Sequence, residues 1–183
     1  MEKKEILVNG VYFLLANGTF VLAGSEEVPG KEQIEMIGVA HDGHYFAIPL
    51  DWDIYGKRPL MNHSCSRDDK FCKTEMEALC DWDFVSATKH LQSLGMAFEL
   101  KEGHYLPTPA ALLAMFSNKE AINSALDTAG AQTVDFDGSY VWSCLRSSCY
   151  HAWYAYGVYG FFGNYNMDYS YLAVPLSLWN PIP

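Results

Sequence analysis

The segment from Tyr140 to Leu176, YVWSCLRSSCYHAWYAYGVYGFFGNYNMDYSYLAVPL, constrains this chain more than any other stretch. It holds eight of the twelve tyrosines, and its only Asp, Glu, Lys or Arg residues are Arg146 and Asp168. Glycine and asparagine interrupt it, and no helical period of apolar positions runs through it. It therefore reads as short β-prone pieces: Tyr140 to Ser143, Ala152 to Tyr156, Val158 to Phe162 and Tyr171 to Leu176. So many rings with so little charge either fill a core or form a surface that binds something.

The N-terminal part shows strand signals of a more ordinary kind. Ile6-Leu7-Val8, Val11 to Leu15 and Thr19 to Leu22 are broken at Asn9-Gly10 and Asn17-Gly18, dipeptides suited to type I′ hairpin turns. Ile34 to Ala40 and His44 to Leu50 repeat the pattern around Asp42-Gly43, which predicts a β-meander. Asp51 to Lys73 is polar and irregular and reads as a surface loop.

Helical signals start at Thr74-x-x-Glu77, which has capping-box form. Asp83 to Leu94 places Phe84, Ala87, Leu91 and Leu94 on one face and stops at Gly95. Thr108-Pro109 opens another helix, and Ser117-x-x-Glu120 caps one carrying Ala121, Ile122, Ala125 and Leu126 that ends near Gly130. Strands, then two to three helices, then short strands with long loops predict an α+β fold with small antiparallel sheets, the first strands pairing with the last.

Charge narrows the function. A formal net charge of −10 leaves no basic footprint for nucleic acid and no attraction to anionic lipid. The N-terminus MEKKEILVNG has no apolar core of a secretory signal, and no apolar run approaches the ~20 residues of a membrane span. The expected location is the cytoplasm, or a phage particle or cell surface reached by another route. Five cysteines make an odd number without the density of a disulfide scaffold, so reduced thiols are expected.

From about Asp81 onward the chain resembles the C-type-lectin-fold domains common in gut bacteria and their phages. The residues that carry the resemblance are Tyr105-Leu106-Pro107-Thr108, Asn118-Lys119-Glu120-Ala121-Ile122-Asn123, Val141-Trp142-Ser143-Cys144 and Ala152-Trp153. They follow that family's order of a W-Y-L-P-[ST] helix start, an N-K-x-A-I-N-x-A-L run, a Y-W-S-[SC] strand and an A-W pair. The chain departs from the pattern at Leu172-Ala173-Val174-Pro175, which lacks the family's arginine. The resemblance implies a C-type-lectin-like domain over 31–183, preceded by an N-terminal β-hairpin extension over 1–30.

Within that family the chain looks most like the variable proteins of diversity-generating retroelements. There, adenines of template AAY codons are randomised, and such codons cannot yield Lys, Glu, Gln, Met or Trp. Those five types supply 32 of the first 142 residues but only Trp153 and Met167 among the thirty from Ser143 to Leu172, where about seven are expected. A Tyr/Ser/Gly-rich β segment is also poor in them.

The resemblance implies a variable ligand-binding region over about 144–172. Its expected contact residues are Leu145, Arg146, Ser148, Cys149, Tyr150 and His151, then Tyr154, Tyr156, Tyr159 and Phe161, then Gly163, Asn164, Tyr165, Asp168, Tyr169 and Tyr171. Trp142, Ala152 and Trp153 are expected to pack inward, and Gly160 to allow a turn. Tyrosine with Ser, Gly and Asn is the mixture of antibody paratopes, rigid amphipathic rings beside adaptable polar groups. The partner would be a protein or surface ligand, with no cofactor and no enzymatic activity. The opposing expectation is that many of these rings are core residues or cross-strand pairs.

Other chemistry is weighed against this. Cys144-Leu145-Arg146-Ser147-Ser148-Cys149-Tyr150 is similar to the cysteine pair of formylglycine-generating oxidases, whose thiolates would suit copper(I). The chain lacks the R-G-G-S stretch of those enzymes. A non-diversified adhesin of the same fold is the other alternative. His63, Cys65, Cys72 and Cys80 follow no C-x-x-C spacing, so no zinc site is expected.

Overall fold

Every interior side chain of strand β1 (Gly10–Leu15) is buried, because the strand sits inside a sheet and is covered on both faces. The computed structural model describes residues 7–62, 70–157 and 160–181. β1 pairs antiparallel with β2 (Phe20–Leu22) and with β3 (Ile34–His41), and β3 pairs with β4 (His44–Pro49).

Asp42 and Gly43 join β3 to β4 with φ of +48° and +80°, the type I′ geometry that matches strand twist. Asn9 braces this turn: its side-chain amide donates to Asp42 Oδ1 at 2.8 Å, and its Oδ1 accepts the Asp42 N–H at 2.8 Å. Asn9-Gly10 therefore supports a distant turn instead of making one. At Asn17-Gly18 only Gly18 has positive φ and the Leu15 amide bonds to the Thr19 carbonyl, a longer turn than the expected type I′. Leu7 and Val8 precede β1 and are not strand; Ile6 lies outside the described residues.

The stretch expected to be loop contains a 3-10 turn at Trp52–Ile54 and a two-residue strand, β5 (Lys57–Arg58). Helix α1 (Glu75–Cys80) starts on its capping box: Thr74 Oγ1 accepts from the Glu77 amide at 3.2 Å and Glu77 Oε2 accepts from the Thr74 amide at 3.1 Å. Asp83 caps α2 (Phe84–Ser93) by accepting from the Ser86 amide at 2.9 Å. Thr108 accepts from Ala111 at 3.3 Å ahead of α3 (Pro109–Ser117). Ser117 closes α3, so Asn118 and not Ser117 stands at the N-cap of α4 (Lys119–Ala129), which ends on Gly130 at φ +72°. The described residues thus contain four α-helices, where two to three were expected.

β6 (Tyr140–Arg146), β7 (His151–Tyr156), β8 (Phe161–Asn166), β9 (Tyr171–Leu172) and β10 (Ser177–Leu178) follow. One sheet has the order β10-β4-β3-β1-β2 and the other β5-β9-β6-β7-β8. The last strand thus joins the first four in one sheet. The second sheet is mixed, since β6 and β9 run parallel. The strand expected over Val158 to Phe162 is displaced: β8 starts at Phe161 and runs on to Asn166 in a six-position ladder with β7. Val158 and Tyr159 lie outside the described residues.

The α+β chain divides into two compact units, one of Met1–Trp52, Asn118–Val134 and Leu176–Pro183, the other of Asp53–Ser117 and Asp135–Pro175. β1, from the hairpin expected as an extension over 1–30, pairs with β3 from Gly10↔Ala40 to Leu15↔Ile34.

In the first unit, Tyr12 and Leu14 cluster with Ala40, Ala47 and Trp179 on one face of the sheet. Val11 and Phe13 point the other way, and α4 packs on β1 and β3. In the second unit, α2 and α3 pack on β6, α3 also on β7, and α1 on α3. No helix among the described residues is long and apolar enough to cross a membrane.

Candidate functional site

Register decides which rings of the second sheet share a face. Tyr140 pairs with Tyr156 and Trp142 with Tyr154; across the next ladder Tyr156 pairs with Phe161, Tyr154 with Gly163 and Ala152 with Tyr165. Directly opposed side chains point the same way. Tyr140, Trp142, Tyr154, Tyr156, Phe161 and Tyr165 therefore lie on one face, and Tyr171 joins them from β9. The buried residues Val141, Trp153 and Ala155 alternate to the other face, toward the helices.

The rings form two layers. Trp142 and Tyr154 are the floor: Trp142 is fully buried, with its indole N–H donating to the Arg58 carbonyl at 3.1 Å, and Tyr154 is 9% exposed. Over them Tyr140 stacks on Tyr156 (centroids 4.2 Å, planes 14° apart) and on Tyr171 (4.9 Å, 22°). Tyr140 and Tyr171 meet Tyr154 edge-on at 5.4 and 5.2 Å. Tyr165 and Tyr169 pair edge to face at 4.7 Å. Each such pair adds about 0.5–1.5 kcal/mol beyond area burial, so the rings hold one another in place.

Gly163 leaves room for the floor. A Cβ there would lie 2.7 Å from the Phe161 ring and 2.8 Å from the Tyr154 hydroxyl.

Packing also sets the protonation of the face. Burial, followed by the neighbouring phenols, pushes the Tyr171 hydroxyl up to about 12, and burial raises that of Tyr154. Tyr169 is raised first by its hydrogen bond with Tyr165. These three stay neutral at physiological pH. The result is an amphipathic surface in which Tyr140, Phe161, Tyr165 and Tyr169 are exposed and Asp168 is the adjacent exposed charge.

Two residues fix the frame behind it. Trp153, 5% exposed, donates its indole N–H to the Cys72 carbonyl at 2.8 Å. Met167, 1% exposed, accepts from the Leu60 amide at 2.8 Å and the Met61 amide at 3.1 Å, and its own N–H donates to the Tyr150 carbonyl at 3.0 Å.

The expected contact residues separate accordingly. Tyr156, Phe161, Gly163, Tyr165, Tyr169 and Tyr171 lie on the aromatic face. Ser148, Cys149 and Tyr150 form the turn between β6 and β7, and Asp168 lies in the turn after β8. Tyr154 belongs to the face but as its buried floor, because Tyr140, Tyr171 and Phe161 surround it. His151 and Asn164 pair with Asn166 and Trp153, which puts them on the opposite face.

Leu145 and Arg146 are interior, not displayed. The β6–β7 register shifts between Trp142 and Arg146, and the irregularity breaks the alternation. Arg146, 3% exposed, donates to His90 Nε2 at 3.3 Å and lies 5.0 Å from the Phe71 ring centroid. Tyr159 lies outside the described residues. Sequence reasoning missed Tyr140, because alternation groups it with Trp142, which was expected to pack inward.

In the same unit Cys72 and Cys144 line a cleft of about 460 Å³ together with Phe71, His90, Arg146, Glu77, Asp81 and Asp83. Glu77 and Asp83 serve helix starts, and the Thr74 and Ser86 amides hold their carboxyls below the usual range. Burial pushes the Cys72 thiol up to about 11 and raises that of Cys144 as well. Both thiols keep their protons at neutral pH, the reverse of an activated nucleophile. Among the described residues no group of three or more His, Cys, Asp or Glu could hold a metal ion. His63 and Cys65 of the weighed zinc set lie outside the described residues.

No family model, curated protein or solved structure matches this chain.

Proposed function

We propose that this protein recognises a protein or surface ligand through its aromatic face, on a C-type-lectin-like scaffold diversified by retroelement mutagenesis, and that it performs no catalysis. The observation that carries this reading concerns the thirty residues from Ser143 to Leu172. Trp153 and Met167, the two that mutated AAY codons cannot encode, are both buried anchors. The exposed positions, among them Tyr150, Phe161, Tyr165, Asp168 and Tyr169, all carry types that such codons can encode. Mutagenesis written on this pattern would change the surface and spare the frame. Rigid rings, each worth ~1–4 kcal/mol when buried in an interface, would then supply affinity at low entropic cost. The oxidase alternative gains nothing from Cys144, whose buried thiol holds its proton.

The test is genetic. A second partial copy of the 3′ coding segment is expected beside a reverse transcriptase gene, differing only opposite its adenines. The codons for Tyr156, Phe161, Tyr165 and Tyr169 should align with AAY. A segment present once, with codons at those positions unrelated to AAY, overturns diversification and leaves the adhesin of fixed sequence.

A further inference from the structure

We propose that Gly163 and Tyr154 act as a coupled pair that sets the floor of the aromatic face. While position 163 has no side chain, the Tyr154 ring lies over it; a larger residue there lifts the ring and reshapes the surface that a partner meets. The proposal rests on the recognition reading above and adds to it the position that controls the shape of the site.

The backbone does not explain a glycine here. Gly163 lies within β8, outside the left-handed region where glycine is favoured, and glycine inside a strand costs stability. What it supplies is space. The atoms nearest to a Cβ at 163 are all side-chain atoms: Cε1 of Phe161 at 2.7 Å, and the hydroxyl and Cζ of Tyr154 at 2.8 and 3.0 Å. The sheet itself therefore has no reason to move. The Phe161 and Tyr154 rings do, since contacts that short are not tolerated; Phe161 is exposed and can turn outward, so it is the displacement of the buried Tyr154 ring that costs stability.

The movement does not stay local. Tyr154 touches Tyr140, Tyr171 and Phe161, and Tyr140 and Tyr171 stack on each other. A residue on the edge strand thus reaches the centre of the exposed layer through one ring.

Ring-labelled tyrosine NMR on the whole chain tests this, with the Tyr154 signal assigned by its loss in Tyr154→Phe. In the parent protein Tyr154 should ionise later than an ordinary tyrosine and show contacts to the Tyr140 and Tyr171 rings. In Gly163→Ser its ionisation should move down toward the ordinary value and those contacts should disappear. The melting temperature should fall in Gly163→Ser, whereas adding Gly163→Ser to Tyr154→Ser should leave that variant's melting temperature unchanged.

Unaltered Tyr154 titration and ring contacts in Gly163→Ser, or an equal fall in both backgrounds, overturns the coupling. If Gly163→Ser does not fold alone, Gly163→Ala in the Tyr154→Ser background decides: folding as well as Tyr154→Ser supports the coupling, and failure to fold overturns it. None of these readouts needs a ligand or a template copy. Loss of the diversification reading would therefore leave the coupling standing, and the reverse.

Discussion

The Trp153 indole N–H and the Cys72 carbonyl meet at 2.8 Å across 81 residues of sequence. This bond ties the inner face of β7 to the segment that leads into α1. Trp153→Phe keeps a ring in place but strands the carbonyl, at a cost of about 1–3 kcal/mol. Tyr150→Ser, on an exposed turn, should stay within about 0.5 kcal/mol of the parent. Denaturant unfolding of the two variants checks the contrast, and equal losses would show that Trp153 is no anchor.

Trp179 is the centre of the aromatic cluster in the first unit, with Tyr12, Phe20 and Tyr45 at centroid distances of 5.4, 5.7 and 5.8 Å. Trp179→Ala should cost about 3–5 kcal/mol through the cavity it leaves. Trp179→Phe should recover much of that. The comparison is made on the same unfolding curves.

Thiol reactivity should follow burial. Cys80 is exposed, the Cys72 thiol is pushed up to about 11 by burial, and Cys144 is buried with its thiol raised further. Only thiolate reacts, so of these three iodoacetamide on the native protein should modify Cys80 first and Cys144 last, read by peptide mass spectrometry. Cys144 labelling as fast as Cys80 would contradict the packing of β6 against α2.

Alkaline pH should destabilise the fold. Burial chiefly pushes the Tyr171 hydroxyl up to about 12 in the folded chain, against about 10 for an ordinary tyrosine. Between those values the unfolded chain releases a proton that the folded chain keeps, so unfolding becomes easier as pH rises. The stabilisation is whole below the unfolded value and is lost through the folded one. Tyr171→Phe should flatten that slope in unfolding free energy measured from pH ~9 to ~12.

What the sequence disclosed was mostly local. Thr74 with Glu77, Asp83, and Gly130 could be read as helix ends because the bonds that cap a helix span three or four residues. Asp42-Gly43 was readable for the same reason. β8 was not, since Gly163 and Asn164 are poor strand formers and are held by the ladder with β7 and by a ring lying over the glycine. The division of the contact residues depends on register, and the shift after Trp142 that buries Leu145 and Arg146 leaves no mark in composition. Tyr140 escaped notice because its importance comes from partners on two other strands.

The backbone of Met167 bonds to Tyr150 on one side and to Leu60 and Met61 on the other. The turn between β6 and β7 is thereby pinned to the turn after β8, and both to the chain beyond β5. An added or deleted residue in either turn would pull the other out of line. The loops beside the face are thereby fixed in length.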